Sequence, residues 1–63
     1  MSPTLSLRQE QIIHLISHGL TDKAIAARIG IAEATVSVHV GLALRKLGAS
    51  SRAHAVRKRY LKK

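Results

Sequence analysis

The chain of 63 residues has room for one small domain, and its 46% hydrophobic content is typical of a folded domain rather than a disordered segment. The absence of cysteine excludes disulfides and thiolate metal sites, and no apolar run approaches the roughly 18 residues that a membrane span needs. Eleven Lys+Arg against three Asp+Glu give a formal net charge of +8, which points to a polyanionic partner or an anionic membrane surface.

The side chains available for catalysis are few. The carboxylates are Glu10, Asp22 and Glu33, and the sequence has neither a Gly-rich phosphate loop nor an activated nucleophile. The N-terminus lacks the charged and apolar segments of a secretion signal. We therefore expect a cytoplasmic protein that is not an enzyme and that binds no cofactor, membrane or small-molecule ligand through this chain.

Capping and stop residues divide the chain into four predicted helices. Ser6 followed by Gln9 fits a capping box at the start of the first segment, and Ser51 caps the last segment. Gly30 and Gly48 can adopt the left-handed backbone conformation that ends a helix. Within each segment, apolar residues recur at helical spacing. The predicted helices cover about residues 7–18, 22–29, 33–47 and 51–60, followed by a basic tail end at 61–63. We expect a single all-α, four-helix domain over residues 1–63.

The second and third predicted helices have the arrangement of a helix-turn-helix motif over about residues 22–41. The small Ala26 and Ala27 let the second helix approach its partner closely. Gly30 permits the positive φ that reverses the chain, and Ile31 fills the angle between the helices. A plain helical hairpin needs the same glycine, so this spacing alone does not distinguish the two arrangements.

The exposed side of the third predicted helix favours the helix-turn-helix interpretation. If Val36, Val40 and Leu47 face the core, the opposite side carries small or neutral side chains and one cation. This small-residue face consists of Ala34, Thr35, Ser37, Val38, Gly41, Leu42 and Arg45. Such a face fits a nucleic-acid groove, in which Val38 can contact a thymine methyl and Ser37 a base edge. The alternative is that this face packs on another protein.

Several stretches occur in the order and spacing of a known family. They include Gly19-Leu-Thr-Asp-Lys-Ala-Ile-Ala26, Thr35-Val-Ser-Val-His-Val40 and Arg45-Lys-Leu-Gly-Ala-Ser-Ser-Arg52. Residues 5–56, more than four-fifths of the chain, thereby resemble the DNA-binding domain of LuxR/FixJ-type (GerE-like) bacterial transcriptional regulators. Region 4 of sigma factors is similar to the first half only, since it usually lacks the junction into a fourth helix.

The resemblance implies that the third helix is the recognition helix in the major groove and that the second lies across the DNA backbone. The positions that it implies for base contacts are Ser37, Val38 and Gly41. The positions that it implies for phosphate contacts are Lys23, Thr35, His39, Arg45 and Lys46. The fourth helix is the implied dimer surface, with Ala53, Arg57 and Tyr60 as its contact residues. For His39, a place in the core is the alternative.

The chain also departs from the family pattern. Ser37 and Gly41 stand where many members carry Lys or another long polar side chain, so we expect modest sequence specificity. Gln9, Ala24 and His54 stand where the family favours Glu, and Ala32 replaces a favoured N-cap Ser. We therefore expect the capping boxes of the second and fourth helices to be lost, at about 1 kcal/mol each. The like charges of residues 57–59 favour a weak dimer or a monomer.

The expected function is sequence-specific double-stranded DNA binding by a bacterial transcription regulator, or by its excised effector domain, at the nucleoid. One alternative is a protein-interaction module that binds RNA polymerase or another regulator. The other is a membrane-surface binder that acts through residues 57–63. These seven residues carry five of the eleven cations, whereas residues 1–56 carry six cations and three acids, a balance of +3. The net charge therefore does not locate the site.

His14 and His18 lie four residues apart, a spacing that can bind a transition metal on one face of a helix. No third ligand type lies near them in the sequence. The favoured interpretation is a pair of solvated histidines, and no metal site is expected.

Overall fold

The computed structural model describes residues 5–60, which form four α-helices. Their bounds are Leu7–Ser17 (α1), Asp22–Ile29 (α2), Glu33–Leu47 (α3) and Arg52–Tyr60 (α4). These helices, without a strand in the described part of the chain, confirm the predicted all-α class. The predicted tail end at 61–63 lies outside the described residues.

The start of α1 is confirmed and its end differs by one residue. The Ser6 hydroxyl accepts a hydrogen bond from the Gln9 backbone N–H at 3.1 Å, and the Gln9 side-chain oxygen accepts one from the Ser6 N–H at 3.0 Å. This exchange is the predicted capping box. α1 ends at Ser17 rather than His18, because the His18 N–H donates to the Leu15 carbonyl, three residues back, and closes a tighter turn.

The N-terminus of α4 differs from the prediction by one residue. The helix begins at Arg52 rather than Ser51, since Ser51 is its cap and its hydroxyl accepts from the His54 N–H at 3.1 Å. The described residues contain no reciprocal hydrogen bond from the Ser51 N–H to the side chain of residue 54, in agreement with the predicted loss of this capping box. The His54 Nδ1 atom accepts instead from the N–H of Ser50, the residue before the cap, at 3.1 Å.

The caps of α2 and α3 agree with the sequence. The Thr21 hydroxyl accepts from the Ala24 N–H at 3.2 Å, and Ala24 has no side-chain acceptor with which to complete a capping box. Ala32, at the N-cap of α3, makes no side-chain cap bond. The first turn of each helix nevertheless carries one carboxylate, Asp22 or Glu33, where the helix dipole favours negative charge.

One hydrophobic cluster joins α1, α2 and α3. Its buried members are Ile12, Ile25, Ala26, Val36 and Val40. Ile25 and Val36 are completely buried, so the two helices of the predicted motif share one core. The expected packing role of Ala27 was wrong: this residue is exposed, and the close approach of α2 depends on Ala26.

A second cluster attaches α4 and the N-terminal segment to the same framework. Its buried members are Leu5, Ile13, Ala43 and Ala55. Ala55 is the one buried residue of α4, and Val56 beside it is half-buried. Few apolar side chains therefore hold this helix.

The turn between α2 and α3 sets their crossing. Gly30 has φ +73° in the left-handed region, and the N–H groups of Gly30 and Ile31 both donate to the Ala26 carbonyl, at 2.8 and 3.1 Å. The two helix axes meet at 108°, within the range of a helix-turn-helix. Within residues 5–60, no single helix is long and apolar enough to cross a membrane, and α2 and α3 reach that length and composition only as this bent pair.

Two ion pairs connect α4 with the other helices. The Arg52 guanidinium donates two hydrogen bonds to the Asp22 carboxylate of α2, one of them at 2.8 Å. The Arg59 guanidinium also donates two hydrogen bonds, at 3.0 and 2.6 Å, to the Glu10 carboxylate of α1 in a bidentate ion pair. Paired N–H···O bonds of this kind fix geometry as well as adding energy. They hold both ends of α4 in place.

The Asp22–Arg52 pair predicts how the free energy of unfolding depends on pH. The Arg52 guanidinium lowers the pKa of the Asp22 carboxyl below its ordinary value of 3.8. A carboxyl with a lowered pKa in the folded state stabilises the fold above its unfolded pKa and loses this effect as the pH falls through its folded pKa. We expect Asp22→Asn to lower the free energy of unfolding by about 1 kcal/mol at neutral pH, with the difference vanishing between about pH 5 and pH 2. Thermal unfolding across this range measures the difference.

Glu33→Gln is the matched control for this experiment. Glu33 is also a first-turn carboxylate, but it forms no ion pair within residues 5–60. We expect its substitution to produce a smaller loss at neutral pH. Equal pH profiles for the two variants would contradict a role for the ion pair.

Candidate nucleic-acid interface

The side of α3 that faces away from both clusters is continuous and exposed. At 100° per residue, the buried Val36, Val40 and Ala43 define the inner side of this helix. All seven members of the small-residue face are exposed on the other side. Val38 lies close to the middle of this face, with 61% of its surface exposed. Leu42, with 43% of its surface exposed, is a second large apolar side chain on this face.

The three predicted base-facing residues lie together on this face. Ser37, Val38 and Gly41 are all exposed. Gly41 has a helical backbone, and a Cβ added there would meet no atom within 4 Å. Neither a turn nor a neighbouring side chain of the described protein therefore requires a glycine at this position. The missing side chain leaves the α3 backbone accessible beside Val38.

Four of the predicted phosphate-contacting side chains are exposed around this face. Lys23 lies in the first turn of α2, Thr35 in the first turn of α3, and Arg45 and Lys46 in the last turn of α3. Two cations, Arg45 and Lys46, thus lie at the C-terminal end of the small-residue face. The Lys46 ammonium also donates to the Gln9 side-chain oxygen of α1 at 3.1 Å. This contact was not predicted.

His39, the fifth predicted phosphate contact, is half-buried at the edge of α3. Its Nδ1 atom is buried and has no hydrogen-bond partner. A buried ring nitrogen without a partner is costly in a core, since its desolvation is not compensated. The half-buried position nevertheless agrees with both the core and the phosphate interpretations.

The three residues predicted for dimerisation share one exposed side of α4. Ala53, Arg57 and Tyr60 follow helical spacing, and each is exposed. Tyr60 also contacts α1: its ring centroid lies 6.3 Å from that of His14, edge to face, and partial burial raises the pKa of its phenol. Arg57 and Lys58 form no ion pair within the described residues, so this surface is positively charged.

His14 of α1 and His18, the C-cap of this helix, make a contact that the sequence analysis did not predict. The ring centroids of His14 and His18 lie 4.7 Å apart in an edge-to-face arrangement. In the part of the chain that the structure describes, no group of three His, Cys, Asp or Glu side chains can hold a metal ion. The two rings pack on one another at the surface of α1.

The comparisons with known proteins agree with the geometry. The family model of bacterial regulatory proteins of the luxR family (GerE) matches residues 3–59. Nodulation protein W of Bradyrhizobium diazoefficiens is 39% identical over 86% of this chain and 24% of its own length. The nitrate/nitrite response regulator protein NarL of Escherichia coli (strain K12) is 45% identical over 81% of this chain and 24% of its own length.

A third relative is the transcriptional activator protein ExpR of Dickeya dadantii, with 40% identity over 82% of this chain and 21% of its own length. The chain thus spans about a quarter of the length of the curated relatives that it matches. The similarity therefore covers most of this chain but only a minor part of each relative.

Proposed function

Because the chain belongs to the luxR family of bacterial regulatory proteins and has its helix-turn-helix DNA-binding domain, we propose that it binds double-stranded DNA sequence-specifically and regulates transcription in the bacterial cytoplasm. In this proposal α3 enters the major groove and α2 lies across the sugar–phosphate backbone. Two copies associate through α4 and bind a pair of half-sites.

The observation that carries the proposal is the small-residue face of α3. A major groove about 12 Å wide admits an α-helix, and it does so most closely where the side chains are short. In this proposal Val38 contacts a thymine methyl and Ser37 hydrogen-bonds a base edge, while Gly41 permits close approach of the backbone. Since long polar side chains are missing here, direct readout is limited and the sequence specificity is modest.

Phosphate contacts position this face on the duplex. In this proposal Lys23 from α2 and Thr35, Arg45 and Lys46 from α3 contact phosphates, and such contacts set the register without reading the sequence. His39 joins them if its second ring nitrogen, Nε2, donates to a phosphate. The buried Nδ1 atom without a partner supports this orientation, because it leaves Nε2 as the ring nitrogen available to a group outside the chain.

Dimerisation through α4 uses Ala53, Arg57 and Tyr60. The small Ala53 allows close contact between two copies, and Tyr60 supplies the largest apolar area on this side of α4. The cations Arg57 and Lys58 repel their counterparts across a two-fold axis, so the dimer is weak in solution. DNA neutralises part of this charge and brings two copies together on a palindromic site.

Selection of bound duplexes from a random pool, followed by titration at several salt concentrations, tests the proposal. We expect a palindromic consensus with half-sites about one helical turn apart. The three cationic phosphate contacts, Lys23, Arg45 and Lys46, correspond to a slope of log K against log salt of about −3 per protomer. No binding at low salt would refute the proposal, and a consensus without symmetry would refute the dimer.

A further inference from the structure

One side of α1 and the last turn of α2 border an open cleft on the surface of the domain. This α1–α2 cleft has a volume of about 570 Å³. The residues that line it are Arg8, Gln11, His14 and Leu15 of α1, and Arg28 and Ile29 of α2. Its volume is that of a small-ligand pocket, so it fits a short segment of a partner rather than a second folded surface.

The two arginines of the cleft carry charge that no carboxylate of the described residues neutralises. The ion pairs within residues 5–60 join Glu10 and Asp22 to arginines of α4. Glu33, the third acid of the chain, does not line the cleft. The Arg8 guanidinium donates a hydrogen bond to the Gln11 amide oxygen at 3.2 Å, and an amide orients a guanidinium without neutralising it. The cleft is therefore positively charged.

Leu15 and Ile29 form the apolar part of the cleft. Both are half-buried and pack against the hydrophobic cluster that joins α1, α2 and α3. Charge-assisted hydrogen bonds are stronger beside such an apolar surface than in open water, because the local dielectric constant is lower. A guanidinium binds a carboxylate through two parallel N–H···O bonds. The cleft therefore matches a segment in which a carboxylate stands next to an aliphatic side chain.

The position of the cleft separates it from the proposed DNA interface. None of the proposed phosphate contacts lies on α1. On α2, Arg28 follows Lys23 by five residues, which at 100° per residue places it about 140° around the helix from that proposed contact. The side of α2 that carries Lys23 is thus not the side that borders the cleft. The cleft and the proposed phosphate contacts share no residue.

We propose that the α1–α2 cleft is a docking site for an acidic peptide segment of a partner protein. The Arg8 and Arg28 guanidinium groups bind carboxylates of this segment, and an aliphatic side chain of the segment packs on Leu15 and Ile29. This interaction goes beyond DNA binding and does not depend on it. Because the two sites use different residues, one chain can hold a duplex and a partner at the same time.

A blocked peptide of repeated Asp-Leu-Glu units is the probe, and its Asn-Leu-Gln counterpart is the neutral control. The titration uses the 15N-labelled chain at about 0.15 M salt, where long-range attraction between exposed charges is screened. We expect the acidic peptide to shift the amide resonances of Leu15 and Ile29 and the side-chain Nε–H resonances of Arg8 and Arg28. The neutral peptide should leave these resonances unchanged.

Arg8→Gln and Arg28→Gln each remove one guanidinium from the cleft. We expect each variant to bind the acidic peptide roughly fivefold more weakly, and the double variant at least about tenfold more weakly. Lys58→Gln is the matched control, since it removes one exposed cation of α4 that does not line the cleft. Its loss should stay below about twofold. Circular dichroism during heating monitors the fold of each variant, and the mapping on the wild-type chain needs no variant.

Equal losses in Lys58→Gln and Arg28→Gln, or shifts centred on α3 or α4, would reduce the interaction to attraction by overall charge and overturn the proposal. Absent shifts, or equal shifts with the neutral peptide, would overturn it as well. The duplex titration provides a further test. A slope of log K against log salt that is shallower by about one in Arg8→Gln or Arg28→Gln would assign the cleft to the DNA backbone. A chain that binds the acidic peptide in the cleft but binds no duplex would support this inference and refute the proposed function.

Discussion

Val38→Glu is expected to weaken duplex DNA binding at least about thirtyfold, with little change in the temperature of unfolding. Val38 is 61% exposed near the middle of the small-residue face, so its replacement removes little from the core. Placing a carboxylate inside a groove bordered by phosphates costs several kcal/mol, and a loss of about 2 kcal/mol alone lowers the affinity thirtyfold. A fluorescence anisotropy titration with a selected duplex measures the affinity, and a thermal melt measures the stability.

Leu7→Glu is the control for the change in net charge. Leu7 is 90% exposed at the start of α1, and its replacement makes the same change from an exposed branched apolar residue to a carboxylate. We expect this control to retain most of its affinity. If the two variants lose affinity equally, binding depends on overall charge and not on insertion of α3. If neither loses affinity, the small-residue face serves another partner, as the alternative of a protein-interaction module requires.

The largest expected effect on stability comes from Ile25→Ala. Ile25 is completely buried where α1, α2 and α3 meet. Replacing a buried Ile with Ala costs about 2–5 kcal/mol, while the core of so small a domain supplies only about 3–5 kcal/mol of net stability. We expect the variant to be largely unfolded at 37 °C. Ellipticity at 222 nm, followed during heating and in urea, measures the population of folded chains.

Leu7→Ala controls for the loss of an apolar side chain at an exposed position. Its free energy of unfolding should stay within about 0.5 kcal/mol of the wild type. A cooperative transition of Ile25→Ala within a few degrees of the wild-type midpoint would contradict a shared core of α1, α2 and α3. A loss of helical ellipticity in Ile25→Ala, accompanied by loss of DNA binding, agrees with such a shared core.

The helices could be predicted from the sequence because their signals are local. The Ser6–Gln9 exchange, the Thr21 cap and the left-handed Gly30 each depend on residues within a few positions of one another. The bounds of α2 and α3 agree with the prediction residue for residue. The exposed side of α3 also followed from helical periodicity, since its inner side was already determined by the buried valines.

The long-range polar contacts could not be predicted in this way. Asp22 meets Arg52 at a sequence separation of 30, and Glu10 meets Arg59 at a separation of 49. No periodicity relates such pairs, because they depend on how the helices cross. The Gln9–Lys46 bond belongs to the same class. The bond from the Ser50 N–H to the His54 Nδ1 atom is local, but the capping-box pattern has a Glu or Gln oxygen as its acceptor, so the pattern does not predict an imidazole in this role.

The DNA contacts assigned to individual side chains rest on the resemblance to the family more than on helical periodicity. Periodicity places Ser37, Val38 and Gly41 on an exposed face, but it does not distinguish a base edge from a protein surface. The family match supports a DNA-binding domain, and the contact assigned to each residue stays a prediction.

The attachment of α4 has a consequence for local opening of the structure. Ala55 is its one buried residue, and the other connections include two partly exposed ion pairs with α1 and α2. Helices held by few apolar contacts open at lower free energy than the rest of a fold, and salt screens exposed charges. The amide protons of α4 should therefore exchange with solvent earlier than those around Ile25, and earlier still at high ionic strength. If α4 carries the dimer surface, the salt that releases DNA also loosens the helix through which two copies meet.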